Sequence, residues 1–183
     1  ARWRRPTSNR MDHSQWITGY YDRHASALYA YALVITSGSA DAEEVLQTVF
    51  EKLIKKPDAL RSARDEKAVL MKWVHDAAVD LIRSNTRRRD RNLAWQSDHH
   101  SPFASTDDPD ADAYQKAVWQ ALQELPIDQR SVVHLRLWGD CTFENIATLL
   151  DISINTAASR YRYGIDKMRE RLRPLYEELK DCH

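Results

Sequence analysis

Little in this sequence could staple the chain or carry it through a bilayer. Its 183 residues include two cysteines, Cys141 and Cys182, too few for a disulfide framework, and such sparing use suits a reducing cytoplasm. Four glycines and six prolines exclude a collagenous chain, argue against a glycine-rich phosphate loop and leave room for long helices. No run of about 18 apolar residues occurs, so no membrane span is expected. Net charge is absent too, with 27 Lys plus Arg against 27 Asp plus Glu. What is abundant is Ala, Leu, Arg, Glu, Gln and Lys with little alternation of period two, which predicts an all-α fold.

The neutral total is a cancellation. Residues 83–91 hold five arginines against one aspartate, whereas residues 92–128 hold one lysine against seven acids. The acidic stretch from Asp98 to Asp112 also contains Ser101, Pro102, Ser105, Thr106 and Pro109. Such a composition buries too little apolar surface to offset the entropy of ordering it. Residues 92–113 are therefore expected to form a flexible, solvated acidic linker between two helical domains, 12–91 and 114–183. Residues 1–11, with Arg2, Trp3, Arg4 and Arg5 ahead of Met11, are set apart as an extension or a cloning remnant.

In the first block, Leu28, Ala32 and Ile35 recur at helical spacing until Gly38-Ser39 interrupts them. A second helix is predicted from Asp41, whose acidic start with Glu43 and Glu44 suits the positive end of a helix dipole. Val45, Val49 and Leu53 mark its buried face, Glu44, Gln47, Thr48 and Glu51 its other face, and Pro57 its stop. A third helix is predicted from about Glu66, with Leu70, Trp73, Val74, Ala77 and Leu81 as its buried stripe. Arg83, Arg87 and Arg91 then stack four apart on the opposite side. A ridge of like charge costs stability unless something anionic neutralises it, and nucleic-acid phosphates do so with release of counterions.

In the second block, Val118, Leu122 and Leu125 close a helix before Pro126, and Val132, Val133, Leu135 and Leu137 belong to the next. After Gly139-Asp140, Thr142 and Ser153 stand eleven apart, each a good N-cap. Two short helices joined by a turn of three or four residues follow from that spacing, with small Ala147 where they approach and Ile146, Leu150, Ile152 and Ala157 between them. This is a helix-turn-helix pattern, whose second helix enters the major groove. The set expected to face DNA is Asn155, Thr156, Ala158, Ser159 and Arg162, with Arg160 near the backbone or bracing the fold. Asn can pair bidentately with adenine and Arg with guanine.

Together the blocks resemble the sigma-70 family of bacterial transcription initiation factors, above all its two-domain extracytoplasmic-function (ECF) group. Asp41-Ala-Glu-Glu-Val-Leu-Gln-Thr-Val-Phe50 and Val79-Asp-Leu-Ile-Arg83 are similar to that family's region 2. Leu122-Gln-Glu-Leu-Pro-Ile-Asp-Gln-Arg130 and Thr142 through Arg160 are similar to its region 4. The resemblance covers about 20–91 and 114–173. It implies that Asp41, Glu44, Gln47, Thr48 and Glu51 bind RNA polymerase core, a partner made of β′ and β subunits, with Phe50 packed inside. It also implies that Trp73, Asp76, Asp80, Arg83, Arg87 and Arg88 serve the minus-ten promoter element. Asn155, Thr156, Ala158, Ser159, Arg160 and Arg162 would serve the minus-thirty-five element. An anti-sigma partner is a further implication. Val69 stands where the family often has Trp, Asp76 where it often has Asn, and Ala157 and Ala158 where Val and Lys are common. These departures predict altered promoter preference.

Neither a catalytic site nor a cofactor is expected. His99-His100 and Cys182-His183 lack a third metal ligand at defined spacing. Asp76 and Asp80 lie four apart on a helix, but without a nucleophile they are expected to pair with Lys72, Arg83 or DNA-facing amides. His75 and His134 are expected to be ordinary helix residues. The alternative function is a stand-alone helix-turn-helix regulator.

Overall fold

The structure, a computed structural model, describes residues 9–61, 63, 65–89 and 109–181, with side chains described over 17–60, 63, 65–87 and 111–177. Among the described residues there are eight helices: α1 Asn9–Thr36, α2 Ser39–Lys55, α3 Pro57–Arg61, α4 Glu66–Arg89, α5 Pro109–Gln123, α6 Ile127–Leu137, α7 Phe143–Leu150 and α8 Ile154–Asp181. The all-α expectation holds. Short α3 was not foreseen: Pro57 ends α2 but also opens a new helix, where its missing N–H costs nothing. Pro109 does the same for α5, so the last five residues of the expected linker are helical. Residues 92–108, with His99 and His100, lie outside the described residues, as do most of the N-terminal extension, Arg91, Cys182 and His183.

In the first half, α1, α2 and α4 pack around Leu28, Ala32, Ile35, Val45, Val49, Leu53, Leu70 and Val74, all buried. Each fully buried aliphatic side chain of this kind contributes roughly 2 kcal/mol. In the second half, α8 crosses α6 at Gly164, where an added Cβ would lie 2.7 Å from Val133 Cγ2. Leu137, expected as part of that apolar helix, is exposed beside Trp138.

The two halves pack on each other, and their buried residues join in one cluster. Contacts run from α1 to α6 and from α4 to α7. At the centre sits the wholly buried Tyr31 of α1, whose phenol bonds His75 Nδ1 of α4 at 3.1 Å. Its ring stacks on His134 of α6 at 5.3 Å, and His134 in turn stacks on Trp138 at 5.6 Å. To one side, Ser37 and Gln123 hydrogen-bond, Arg130 Nη1 donates to Ser37 Oγ at 2.8 Å and to Gln123 Oε1, and Gln123 Nε2 donates to Val34 O at 3.4 Å. To the other side, Lys67 Nζ donates to Gly139 O at 3.1 Å and Lys72 Nζ to Leu149 O at 3.2 Å.

Burial, reinforced by Lys67, lowers the His134 pKa from 6.5 to about 4. His75 moves the same way, again mainly by burial and against the pull of Asp76. The groups facing His134 are thus Tyr31 on α1, Lys67 on α4 and Trp138 just after α6, with burial and the Lys67 charge opposing an imidazolium. In the unfolded chain the imidazole takes its proton near pH 6.5, and in the folded chain only well below that. The stabilisation is therefore complete above about pH 6.5 and is lost as the pH falls toward 4. Urea unfolding should show stability lower by about 2 kcal/mol at pH 4.5 than at pH 7.5, with a shallower pH slope in His134→Gln. An equal slope in wild type and variant would contradict this assignment.

Candidate nucleic-acid and core-binding surfaces

The α2 face opposite its buried side is acidic and polar because the sequence spaces apolar residues for one side only. Glu44, Gln47, Thr48 and Glu51 are exposed. Thr48 Oγ1 donates to Glu44 O at 2.9 Å, Gln47 Nε2 to Glu51 Oε1 at 3.2 Å, and Lys55 pairs with Glu51 at 3.5 Å. Asp41 is half-buried and takes two long contacts of 3.5 Å from Asn85 Nδ2, which ties α2 to the end of α4. Phe50 is half-buried against exposed Tyr21, ring centres 5.1 Å apart. The structure thus puts four of the five expected core-binding side chains on one open face, with Asp41 at its edge.

On α4, Trp73 is half-buried and carries Lys52 Nζ over its ring at 4.5 Å. It serves both the core and the surface, where sequence periodicity alone placed it inside. Asp76 pairs with Lys72 at 3.7 Å and Asp80 with Arg83 at 3.9 Å, as expected for helix neighbours. Arg83 and Arg87 are exposed, and Arg87 Nε donates to Arg83 O at 3.2 Å. Both guanidinium groups lie along one ridge. The Arg88 side chain is outside the described residues.

The helix-turn-helix follows its caps. Thr142 Oγ1 accepts from Asn145 N at 3.2 Å, and Ser153 Oγ accepts from Thr156 N at 3.0 Å and contacts Thr156 Oγ1 at 2.8 Å. The nearby Glu144 carboxyl is held below its usual range by its own N–H and by the Thr142 hydroxyl. Between the helices Asp151 takes the left-handed conformation at φ 55°, where Asp is one of the few non-glycine residues at ease. The Ile152 N–H returns to Ala147 O at 3.0 Å, and Ala147 is buried where α7 meets α8.

Along the start of α8, Asn155 and Arg162 are exposed, while Thr156, Ala158 and Ser159 are half-buried. Ser159 Oγ turns back to Thr156 O at 3.0 Å, so in this state its hydroxyl caps its own helix. Arg160 braces: its Nη2 holds Asp128 Oδ2 of α6 at 2.7 Å, on a side chain 29% exposed. Sequence reasoning passed over two large exposed side chains on this helix, Ile154 and Tyr163, the latter stacked with the Arg162 guanidinium at 5.1 Å. Four- and eight-residue spacing from Ser159 and Asn155 would have found Tyr163. Among the described residues, no three His, Cys, Asp or Glu side chains converge on a possible metal position, and no helix is long and apolar enough to cross a membrane.

Comparison with known proteins agrees with this layout. The family model for sigma-70 region 2 matches residues 20–88, and that for sigma-70 region 4 matches 115–168. ECF RNA polymerase sigma factor SigL of Mycobacterium tuberculosis is 30% identical over 158 residues, covering 85% of this chain and 88% of the relative. RNA polymerase sigma factor CarQ of Myxococcus xanthus is 27% identical over 161 residues, covering 87% and 90%. ECF RNA polymerase sigma factor SigX of Bacillus subtilis is 24% identical over 166 residues, covering 88% and 86%. The fold is that of the sigma factor RpoE of Bartonella quintana, solved in complex with the anti-sigma factor NepR, at a TM-score of 0.69 and 23% identity over 88% of this chain and 97% of that one.

The cap at Ser153 orders the N-terminal turn of α8 through a bond no other described side chain duplicates. Ser153→Ala should lower stability by about 1 kcal/mol in thermal or urea unfolding, whereas Ser153→Asp should largely retain it. Equal stability of the alanine variant and wild type would show that the cap does nothing.

Proposed function

The chain belongs to the sigma-70 family, in its ECF group, and we propose that its α2 face, α4 ridge and α8 N-terminal half divide the work of initiation among them. As a sigma factor of this kind it binds RNA polymerase core and directs it to promoters carrying minus-ten and minus-thirty-five elements. The observation that carries the division is the separation of chemistry. The α2 face is open, acidic and polar, α4 ends in an arginine ridge, and α8 presents Asn155 and Arg162.

Glu44, Gln47, Thr48 and Glu51, with Asp41 at the rim, meet core polymerase in this proposal. Trp73, Asp76, Asp80, Arg83, Arg87 and Arg88 face the minus-ten element. There the arginines meet phosphates and Trp73 supplies an aromatic surface on which an unpaired base can stack. Asn155, Thr156, Ala158, Ser159 and Arg162 read the minus-thirty-five element, and Arg160 positions the helix by holding Asp128. A domain boundary runs through 92–108, with α5 belonging to the second unit. The protein does its work in the cytoplasm and performs no catalytic chemistry of its own. Anti-sigma control fits a chain of this group, as a protein that sequesters the α2 face would silence it.

Reconstitution with core polymerase tests the whole. The chain should form a stoichiometric complex and support promoter-dependent run-off transcription; duplex binding alone, without core, would point to a stand-alone helix-turn-helix regulator. Within the complex, Arg83→Ala or Arg87→Ala should weaken promoter binding on all sequences and lower the salt slope by about one. Asn155→Ala should instead relax preference at one base position at a cost of about 1–3 kcal/mol. Uniform loss from both kinds of variant would contradict the division of labour.

A further inference from the structure

The N-terminal half of α8 turns outward fewer hydrogen-bonding groups than its composition suggests. Ser153 Oγ accepts from the Thr156 N–H at 3.0 Å and lies 2.8 Å from the Thr156 hydroxyl, and Ser159 Oγ donates back to Thr156 O at 3.0 Å. Each of these three hydroxyls thus holds a bond within the opening turns of its own helix. Ala157 is fully buried, and half-buried Ala158 offers one methyl group. Standing outward at this end are the Asn155 amide and, beside it, the branched side chain of Ile154, 48% exposed at the first position of the helix. The core between the two helices of the motif is filled without Ile154, by buried Ile146, Ala147 and Ala157.

Direction and charge give this exposed isoleucine its setting. A helical side chain leans toward the N-terminus of its own helix. Ile154 therefore extends past the first turn of α8, at the end that a helix-turn-helix motif sets against base edges in the major groove. That first turn holds no acidic residue, whereas α2, α3, α4, α6 and α7 carry Asp41, Asp58, Glu66, Asp128 and Glu144 in theirs. The end of α8 is thus free of the carboxylate that would repel a phosphate backbone. An A·T pair shows the major groove a donor and an acceptor on adenine and a C5-methyl group on thymine. The Asn155 amide suits the first, and Ile154, its neighbour at the same end of the helix, suits the second. A G·C edge displays donors and acceptors alone and leaves an aliphatic side chain unmatched.

We propose that Ile154 is a specificity-determining residue that packs on the C5-methyl group of a thymine in the minus-thirty-five element, at the base pair that Asn155 reads or the one beside it. The contact is continuous with the recognition face of α8 and rests on the assignment of that face to the element. It adds an apolar reading to a helix whose other outward groups are the Asn155 amide and the Arg162 guanidinium, and it requires at least one A·T pair in the element. Tyr163, the other large exposed side chain on this part of α8, lies about 14 Å further along the axis and stacks with Arg162, so it takes no part in this contact.

Uracil differs from thymine by that methyl group alone, so the test is a base-analogue scan on the holoenzyme reconstituted from the full chain and core polymerase. The holoenzyme first selects a promoter from a pool of random duplexes, and each thymine of the minus-thirty-five element is then replaced singly by uracil. At one position the wild-type complex should weaken about fourfold, the factor that corresponds to one buried methyl-sized group. At that position Ile154→Ala should bind the thymine and uracil duplexes alike, and Tyr163→Ala should keep the full difference. Each comparison is made within one variant, so a general loss of affinity or stability cancels. An element without thymine, indifference of the wild-type chain to every uracil, or an undiminished uracil effect in Ile154→Ala would overturn the proposal. Loss of the effect in Tyr163→Ala would overturn it too, because the response would then not belong to Ile154. Failure of the holoenzyme to select any promoter would count instead against the functional assignment.

Discussion

A charged guanidinium buried without a carboxylate is the constraint around which the two halves are arranged. Arg130 stands on α6 at the point where the first half turns from α1 to α2, and among the described residues Ser37 and Gln123 satisfy it. A buried cation of this sort costs several kcal/mol unless its neighbours are good acceptors. The cost is offset by what surrounds it: the Tyr31 ring between two imidazoles, the aliphatic cores of both halves meeting in one cluster, and His134 kept neutral. The seam is consequently stable at neutral pH, where His134 is uncharged.

The same economy explains why local features could be anticipated from sequence and the seam could not. Thr142 and Ser153 announce their helices because an N-cap is satisfied within three residues, and the Asn145 and Thr156 amides do answer them. Asp41 through Phe50 show their buried side by a spacing of four. In contrast, Arg130 and His134 are spaced like any polar residues on an amphipathic helix, and nothing within ten positions marks them as buried. Their partners Ser37 and Tyr31 lie 93 and 103 positions away along the chain. Trp73 was half legible, since its periodicity is that of the core and only the Lys52 contact brings out its surface role. Short α3 was invisible because a proline that ends one helix also suits the first position of another.

Ala158 illustrates a different limit. Spacing places it on the recognition face, and the structure leaves it half-buried, too short to extend beyond its neighbours Asn155 and Arg162. At this position the helix offers only a methyl group, so what stands out from its surface is Arg162, stacked on Tyr163, and the exposed Ile154.

Global neutrality gains a physical meaning from this arrangement. The acidic segment and the α2 acids balance the arginine ridge and the basic α8, so in free solution long-range attraction to DNA is weak at physiological ionic strength. Neutrality thereby lowers the affinity of the free chain for the very many nonspecific sites that any duplex offers. The acidic face of α2 and the arginine-bearing α4 are joined directly. Asp41 on α2 is tied to Asn85 on α4, Lys52 of α2 lies over Trp73, and α4 carries both seam lysines.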